Sequence, residues 1–204
     1  MLQGHRPLFL YGMEDGLPMK RKDREVTELS QLEEMIQRCD CIHLGLMDGE
    51  YPYVVPMNFG YERTGERFAF YMHAASEGKK LGLIAACPRA AFCMDTGHEL
   101  VKGTVPCSWS FYYESVMGQG KIALVQDPKE KRRGMQAVME HYSGSQEPLE
   151  FPDAMMERVT ILKLEGQTIT GKQHKEGKKA ALFVHNAAFF GNGKFVLDFS
   201  VMIR

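Results

Sequence analysis

Residues 41–73 read CIHLGLMDGEYPYVVPMNFGYERTGERFAFYMH, and this stretch decides the fold. Ile42, Leu44 and Leu46 fall at every second position, the period of a half-buried strand. Asp48-Gly49 then supplies a dipeptide that accepts the tight reversal of a hairpin, before YPYVVPMNF resumes a β-rich run. FGYER and RFAFYMH flank a second reversal at Thr64-Gly65-Glu66, so residues 40–73 predict a four-stranded meander.

Outward from this stretch the period changes. Residues 1–22 mix glycines and prolines with the basic cluster Lys20, Arg21 and Lys22, and read as an extended arm. Thr27 is the expected N-cap of a helix whose Leu29, Leu32, Met35 and Ile36 share one face, with Glu33 and Glu34 turned outward. Ser76 is expected to cap a second helix carrying Leu81, Leu83, Ile84 and Ala85, which Pro88 stops. RAAFCMD returns to strand, and residues 111–125 form a strand bent at two glycines. Pro128 opens a third helix to about Tyr142, with Met135, Val138 and Met139 inward. VTILKLEGQTITGK then predicts a last hairpin. Many short antiparallel strands with a few helices make a mainly β, α+β chain, a Greek-key-like small barrel with flanking helices.

Composition narrows the function classes. The 204 residues, 44% hydrophobic and 25% charged, suit one well-buried domain. With 25 basic against 26 acidic side chains, no long-range field draws the molecule to nucleic acid or anionic lipid, so any anion site is local. No run of about 18 apolar residues offers a membrane span, no signal peptide is visible at the N-terminus, and a cytoplasmic location is the expectation. Five cysteines, mostly within apolar runs, read as reduced thiols. Cys39, Cys41 and His43 alternate along one strand face, but a thiol-rich inward face is ordinary core material and no metal is expected. The run Lys129 to Arg133 reads as a solvated helix face.

The segment Tyr71-Met72-His73-Ala74-Ala75-Ser76-Glu77-Gly78-Lys79-Lys80 carries the chemistry. A strand ends, a turn of small residues follows, and a helix opens with a hydroxyl, a glycine and two lysines. Unpaired amides at a helix N-terminus, aided by Ser76 and a lysine ammonium, can hold a phosphate. An ordinary capped helix with solvated lysines has the same spacing, and spacing alone leaves both readings open.

RKDREVT at 21–27, YPYVVPMNFGYE at 51–62, FYMHAASEGKKLGLI at 70–84 and YESVMGQGKIALV at 113–125 together resemble the nitroimidazole-resistance branch of the pyridoxamine-phosphate-oxidase-like, FMN-binding split-barrel family. Glu50 stands where that pattern has glycine. The resemblance implies a split β-barrel over residues 23–174, paired as a homodimer with FMN, or FAD, between the barrels. It implies that Val55, Pro56, Met57 and Asn58 run along the flavin ring edge, and that Ser76, Lys79 and Lys80 hold the phosphate. Trp109, Tyr113 and Ser115 of a second copy would cover the ring, and His73 would face its reactive side as proton donor. The implied activity is reduction of a nitroaromatic small molecule, with a flavin carrier and a pyridoxamine-phosphate oxidase as alternatives. The oxidase is disfavoured because no further arginine-histidine pattern follows near the C-terminus. Residues 175–204 depart from the family pattern, and this apolar extension is expected to pack on the barrel or the partner.

Overall fold

A computed structural model describes residues 21–175. The extension beyond Lys175, and all but the last two residues of the N-terminal arm, lie outside the described residues. After a single 3-10 turn at Lys22–Arg24, the elements in chain order are β1 (Glu25–Val26), α1 (Leu29–Arg38), β2 (Ile42–Asp48), β3 (Tyr51–Met57), β4 (Gly60–Thr64), β5 (Arg67–Ala75), α2 (Lys79–Ala86), β6 (Arg89–Val101), β7 (Ser110–Leu124), α3 (Pro128–Ser143), α4 (Asp153–Arg158) and β8 (Val159–His174). Eight antiparallel strands form one sheet in the order β3-β2-β6-β7-β8-β5-β4, with β1 added to β8. The path is open between β3 and β4, as in a split barrel, and the fold is α+β.

Both expected reversals exist, at Gly49 and Gly65, each with φ near 61°. Their strands do not make a meander. The β2–β3 hairpin lies at one end of the sheet and the β4–β5 hairpin at the other, because the chain crosses at Asn58-Phe59 rather than folding back. Phe59 is wholly buried, and its N–H donates to the Tyr142 hydroxyl at 3.1 Å, which fixes the crossing. The expected last hairpin is also absent. Residues 159–174 are one strand, and its register against β7 jumps from Gly120↔Gly166 to Gln119↔Thr168, leaving Gln167 as an extra residue. A glycine-marked bulge bends the strand where the sequence suggested a reversal.

Thr27 and Ser76 are not caps. α1 starts at Leu29 after Glu28, and α2 at Lys79 after Gly78, neither with a side-chain capping bond. At α3 the capping residue is Asp127, whose carboxylate accepts from the Lys129 and Glu130 amides with Pro128 in the first turn.

Strand alternation builds two apolar layers. Phe68, Phe70 and Met72 of β5 face the barrel interior, where they meet Phe92, Met94, Ile122 and Leu164, with the Phe70 and Phe92 ring centres 4.8 Å apart. Tyr71 on the opposite face packs with Met135, Val138 and Ile161 beneath α3. α1 seals the barrel with Leu32, Met35 and Ile36. Each such side chain contributes about 1.5–3 kcal/mol by leaving water.

α3 can approach β4 closely because Gly60 has no side chain. A Cβ there would lie 2.2 Å from the backbone carbonyl carbon of Ala137 and 2.3 Å from the Val138 nitrogen, and helix backbone cannot yield as a flexible side chain can. Gly60→Ala is therefore expected to destabilise the chain by about 2 kcal/mol or more, read as a lower urea midpoint at unchanged m. A midpoint within error of the parent would show that α3 is not in contact with β4.

Candidate functional site

Three segments hold the sequence-predicted residues, and the fold brings two of them together. β5 pairs with β4 only as far as Tyr71↔Gly60, so Met72 to Ala75 run on past the end of β4. His73 lies there, exposed, on the outer face opposite Ile161 of β8. Ser76 and Glu77 follow in an exposed turn, and Gly78 adopts φ 136° with no protein atom within 4 Å of a Cβ placed on it. That left-handed backbone favours glycine and leaves room above the first amides of α2. Among the described residues no side chain caps this helix, so its first amides lack the side-chain acceptor that Asp127 supplies at the start of α3.

The two lysines differ. The Lys79 ammonium bonds Asp48 at 2.5 Å and lies 5.3 Å from the centre of the Tyr53 ring, which ties the start of α2 to the β2–β3 hairpin. Lys80 is half-buried and has no acidic group within 4 Å among the described residues. One cation at the helix start is engaged, and the other is free to meet an anion.

β3 is the second segment. Val55 and Met57 turn inward against the core, while Pro56 and Asn58 are exposed. Among the described residues β3 has β2 as its one strand neighbour, and its other edge presents main-chain N–H and C=O groups. The side chains of Val55 and Met57 are thus core residues, and their backbone is the accessible part.

Trp109, Tyr113 and Ser115 form the third segment, which does not meet the other two within one chain. Tyr113 pairs with His174 of β8, whereas His73 pairs with Ile161, thirteen residues earlier on the same strand. At the usual rise of a strand this is on the order of 40 Å, less whatever the bulge takes up. Trp109 is 46% exposed with the Lys102 ammonium 5.6 Å from its ring, and Ser115 is half-buried between Asp95 and Lys172 in register. Between the segments, the outer face of the sheet carries Met47, Val54 and Met117, which are 55%, 59% and 44% exposed. The row Pro56, His43, Cys93, Met117 crosses four strands on this face.

A cleft of about 770 Å³ lies elsewhere, between β5, β8 and α3. Several of its charges pair with one another. Arg133 pairs with Glu62 at 3.1 Å, Lys163 with Glu130 at 2.8 Å, and the buried Tyr71 hydroxyl donates to Glu62 at 3.1 Å. Cys39 closes α1 as a buried thiol pushed up to about 12, mainly by burial, while His43 is exposed. Among the described residues no group of three His, Cys, Asp or Glu side chains could hold a metal, and no helix is long and apolar enough to cross a membrane.

The sequence reading missed Glu114. It stands at an inward position of β7, in phase with Val116 and Ile122, and a carboxylate in that phase was the available signal. Glu114 is 4% exposed and accepts from the Arg38 guanidinium through both oxygens, at 2.8 and 3.1 Å, with Lys175 as a second cation. The pair joins the end of α1 to the residue beside Tyr113. Also missed were Arg24 and Lys172, the two cations beside the Tyr113 phenol.

Residues 28–173 match the family described as pyridoxamine 5'-phosphate oxidase, and the chain belongs to that family. No curated protein sequence matches it. Among solved structures it is similar to a Bacteroides thetaiotaomicron protein provisionally assigned to 5-nitroimidazole antibiotic resistance, with 31% identity over 73% of this chain and 86% of that one, at a TM-score of 0.63. It shares its fold with the flavocytochrome Anf3 of Azotobacter vinelandii, 16% identical over 78% of this chain and 72% of that one, at a TM-score of 0.63. An FAD and heme binding protein of Mycobacterium smegmatis is 18% identical over 76% and 74%, also at 0.63.

Burial raises the Glu114 pKa, but the Arg38 and Lys175 contacts outweigh it and hold the carboxyl below its ordinary value. A carboxyl lowered in the fold adds stability above its unfolded pKa and loses it as pH falls through the folded value. Glu114→Gln is expected to cost on the order of 1 kcal/mol at pH 7, because it removes the carboxylate charge that Arg38 and Lys175 share while Arg38 stays solvent-exposed and keeps Glu34. That deficit should shrink steadily from pH 5 to pH 3 in parallel urea titrations. A deficit that stays constant across this range would mean that the ion pair does not act in the fold.

Proposed function

We propose that the chain is a flavoprotein that binds FMN in a homodimer and reduces nitroaromatic small molecules of the nitroimidazole type. The observation that carries the reading is the uncapped start of α2, where the Ser76 hydroxyl and the Lys80 ammonium, beside the first amides of the helix, have no side-chain partner among the described residues. Amides, hydroxyl and cation are the donor set that a phosphate monoester requires. Lys79, held by Asp48 and Tyr53, orients the helix start toward β3. The free edge of β3 from Val55 to Asn58 then offers main-chain donors and acceptors to a flat heterocycle, with Pro56 contributing its carbonyl alone.

Bound flavin supplies electron pairs for reducing the substrate. His73, exposed on the outer face of β5, stands where an imidazole can give a proton to a reduced nitro oxygen. The reading calls for a second copy on two grounds. That copy covers the apolar outer face of the sheet, and it carries Trp109, Tyr113 and Ser115 to a site that they cannot reach in their own chain. The 31% identical Bacteroides relative supports the substrate class, and the Mycobacterium fold relative keeps FAD as the competing form of the cofactor.

Purified protein titrated with FMN and with FAD is expected to acquire the visible flavin band with one flavin per chain and tighter binding of FMN. Lys80→Ala should weaken FMN binding by about 1–3 kcal/mol and leave riboflavin, which lacks the phosphate, unaffected. Photoreduced protein mixed anaerobically with a nitroimidazole should reoxidise faster than a control without substrate. No flavin band after addition of either cofactor would sink the whole reading, and reoxidation at the control rate would leave a carrier in place of a reductase.

A further inference from the structure

Two cations stand beside the Tyr113 phenol without an acidic partner. The Lys172 ammonium lies 5.9 Å from the ring centre, and Arg24 reaches the phenol from the turn before β1. Neither has a carboxylate within 4 Å among the described residues. The Arg24 Nε atom is buried and makes no hydrogen bond among the described residues, an arrangement that costs free energy unless an acceptor arrives.

The neighbouring acids are engaged elsewhere. Asp23 is held by Arg21 at 2.6 Å, Glu114 by Arg38 and Lys175 on the opposite face, and Asp95 by His98 at 2.9 Å. Glu25 faces Lys172 in register, but it is exposed and forms no ion pair. Partial burial raises the Tyr113 pKa, but the two cations outweigh it, so the phenol sits below its ordinary value. Neither cation is therefore held in an ion pair among the described residues.

The backbone is shaped around the same residue. Opposite Tyr113 the β6–β7 register passes from Thr96↔Glu114 to Glu99↔Tyr112, which leaves β6 with an extra residue at Gly97-His98. Bulges of this kind re-aim side chains and concentrate beside functional sites. Ser115, on the same face as Tyr113 and in register with Lys172, adds a hydroxyl to the group. Tyr113 itself is half-buried, so part of its ring remains exposed.

We propose that Tyr113, Arg24 and Lys172 form a recognition site for the carboxylate or phosphate of a small-molecule ligand. Arg24 offers a planar fork suited to two oxygens, Lys172 a point charge, and Tyr113 a hydroxyl donor together with a flat surface for an attached ring. In the homodimer proposed above, this group borders the partner's flavin ring and selects acidic substrates over neutral ones. That placement rests on the flavin reading; the anion binding itself does not.

Three probes of matched size separate the outcomes: 4-nitrotoluene, 4-nitrobenzoate and 4-nitrophenyl phosphate, each dialysed to equilibrium against the full chain with and without FMN. At least one anion is expected to bind about tenfold more tightly than 4-nitrotoluene, the scale of one charge-assisted hydrogen bond. Arg24→Met and Lys172→Met should each remove most of that preference, and Arg24→Lys should retain part of it. Circular dichroism of each variant separates a lost site from a lost fold, and Lys172→Met, with its half-exposed side chain, keeps the test available if Arg24→Met unfolds. Equal binding of all three probes, or a preference that survives both Met variants, overturns the proposal. Phosphate binding that responds to Lys80→Ala and not to Arg24→Met belongs to α2 and overturns it for phosphate. Anion preference without any flavin binding would refute the flavoprotein reading alone, whereas flavin binding without anion preference would refute this proposal alone.

Discussion

The pairing of β7 with β8 is the constraint on which the rest of the molecule depends. These are the two longest adjacent strands, and their ladder runs from Tyr113↔His174 at one end to Leu124↔Leu162 at the other. Strands this long twist, and the bulge at Gln167 bends them further, so the sheet curls around Phe70, Phe92 and Leu164 without closing. The same length holds His73 and Tyr113 apart. A site that needs both cannot be assembled by one barrel, and the fold thereby demands a second copy if the two act together.

Curvature alone would leave the end of β5 loosely held. It is fixed because β5 is buried on both faces, by the barrel core beneath Phe68, Phe70 and Met72 and by α3 above Tyr71. α3 reaches that position through two contacts of little tolerance. Gly60 lies under its backbone, and its Tyr142 hydroxyl accepts from Phe59 while donating to the Asp40 carbonyl at 2.7 Å. The crossing between the two hairpins is held by the same helix that presses on β5. The free edge of β3 and the open start of α2 therefore keep a fixed relation, and Lys79 bonded to Asp48 links them directly.

Local chemistry was legible in the sequence, and long-range connection was not. Asp48-Gly49 and Thr64-Gly65 announced their reversals because a positive φ at glycine is a property of a few residues. Nothing local distinguishes a meander from two hairpins sent to opposite sheet edges, since the difference resides in where Phe59 is buried. The glycine of GQT was misread for a related reason, because bulge and turn both call for a residue without a side chain. Ser76 matched the preference of a cap, yet the helix starts beyond it at Gly78, and the hydroxyl is left unused by the fold.

Charge shows the same division most sharply. A net charge of -1 says that the molecule as a whole has no preference for anions, and the count is correct. What it hides is pairing: Arg38, Arg63, Lys79, Arg132, Arg133 and Lys163 each meet a carboxylate, whereas Lys80, Arg24 and Lys172 meet none among the described residues. An unpaired cation that is also partly shielded from water has lost hydration without gaining a partner, so the fold carries it at a cost. In this chain such cations occur beside the open start of α2 and beside Tyr113, two places whose backbone is also unusual, through φ 136° at Gly78 and through the bulge at Gly97-His98. An irregular backbone and an unpaired cation coincide at both, which is the pattern expected where a ligand, not the protein, supplies the missing half of the interaction.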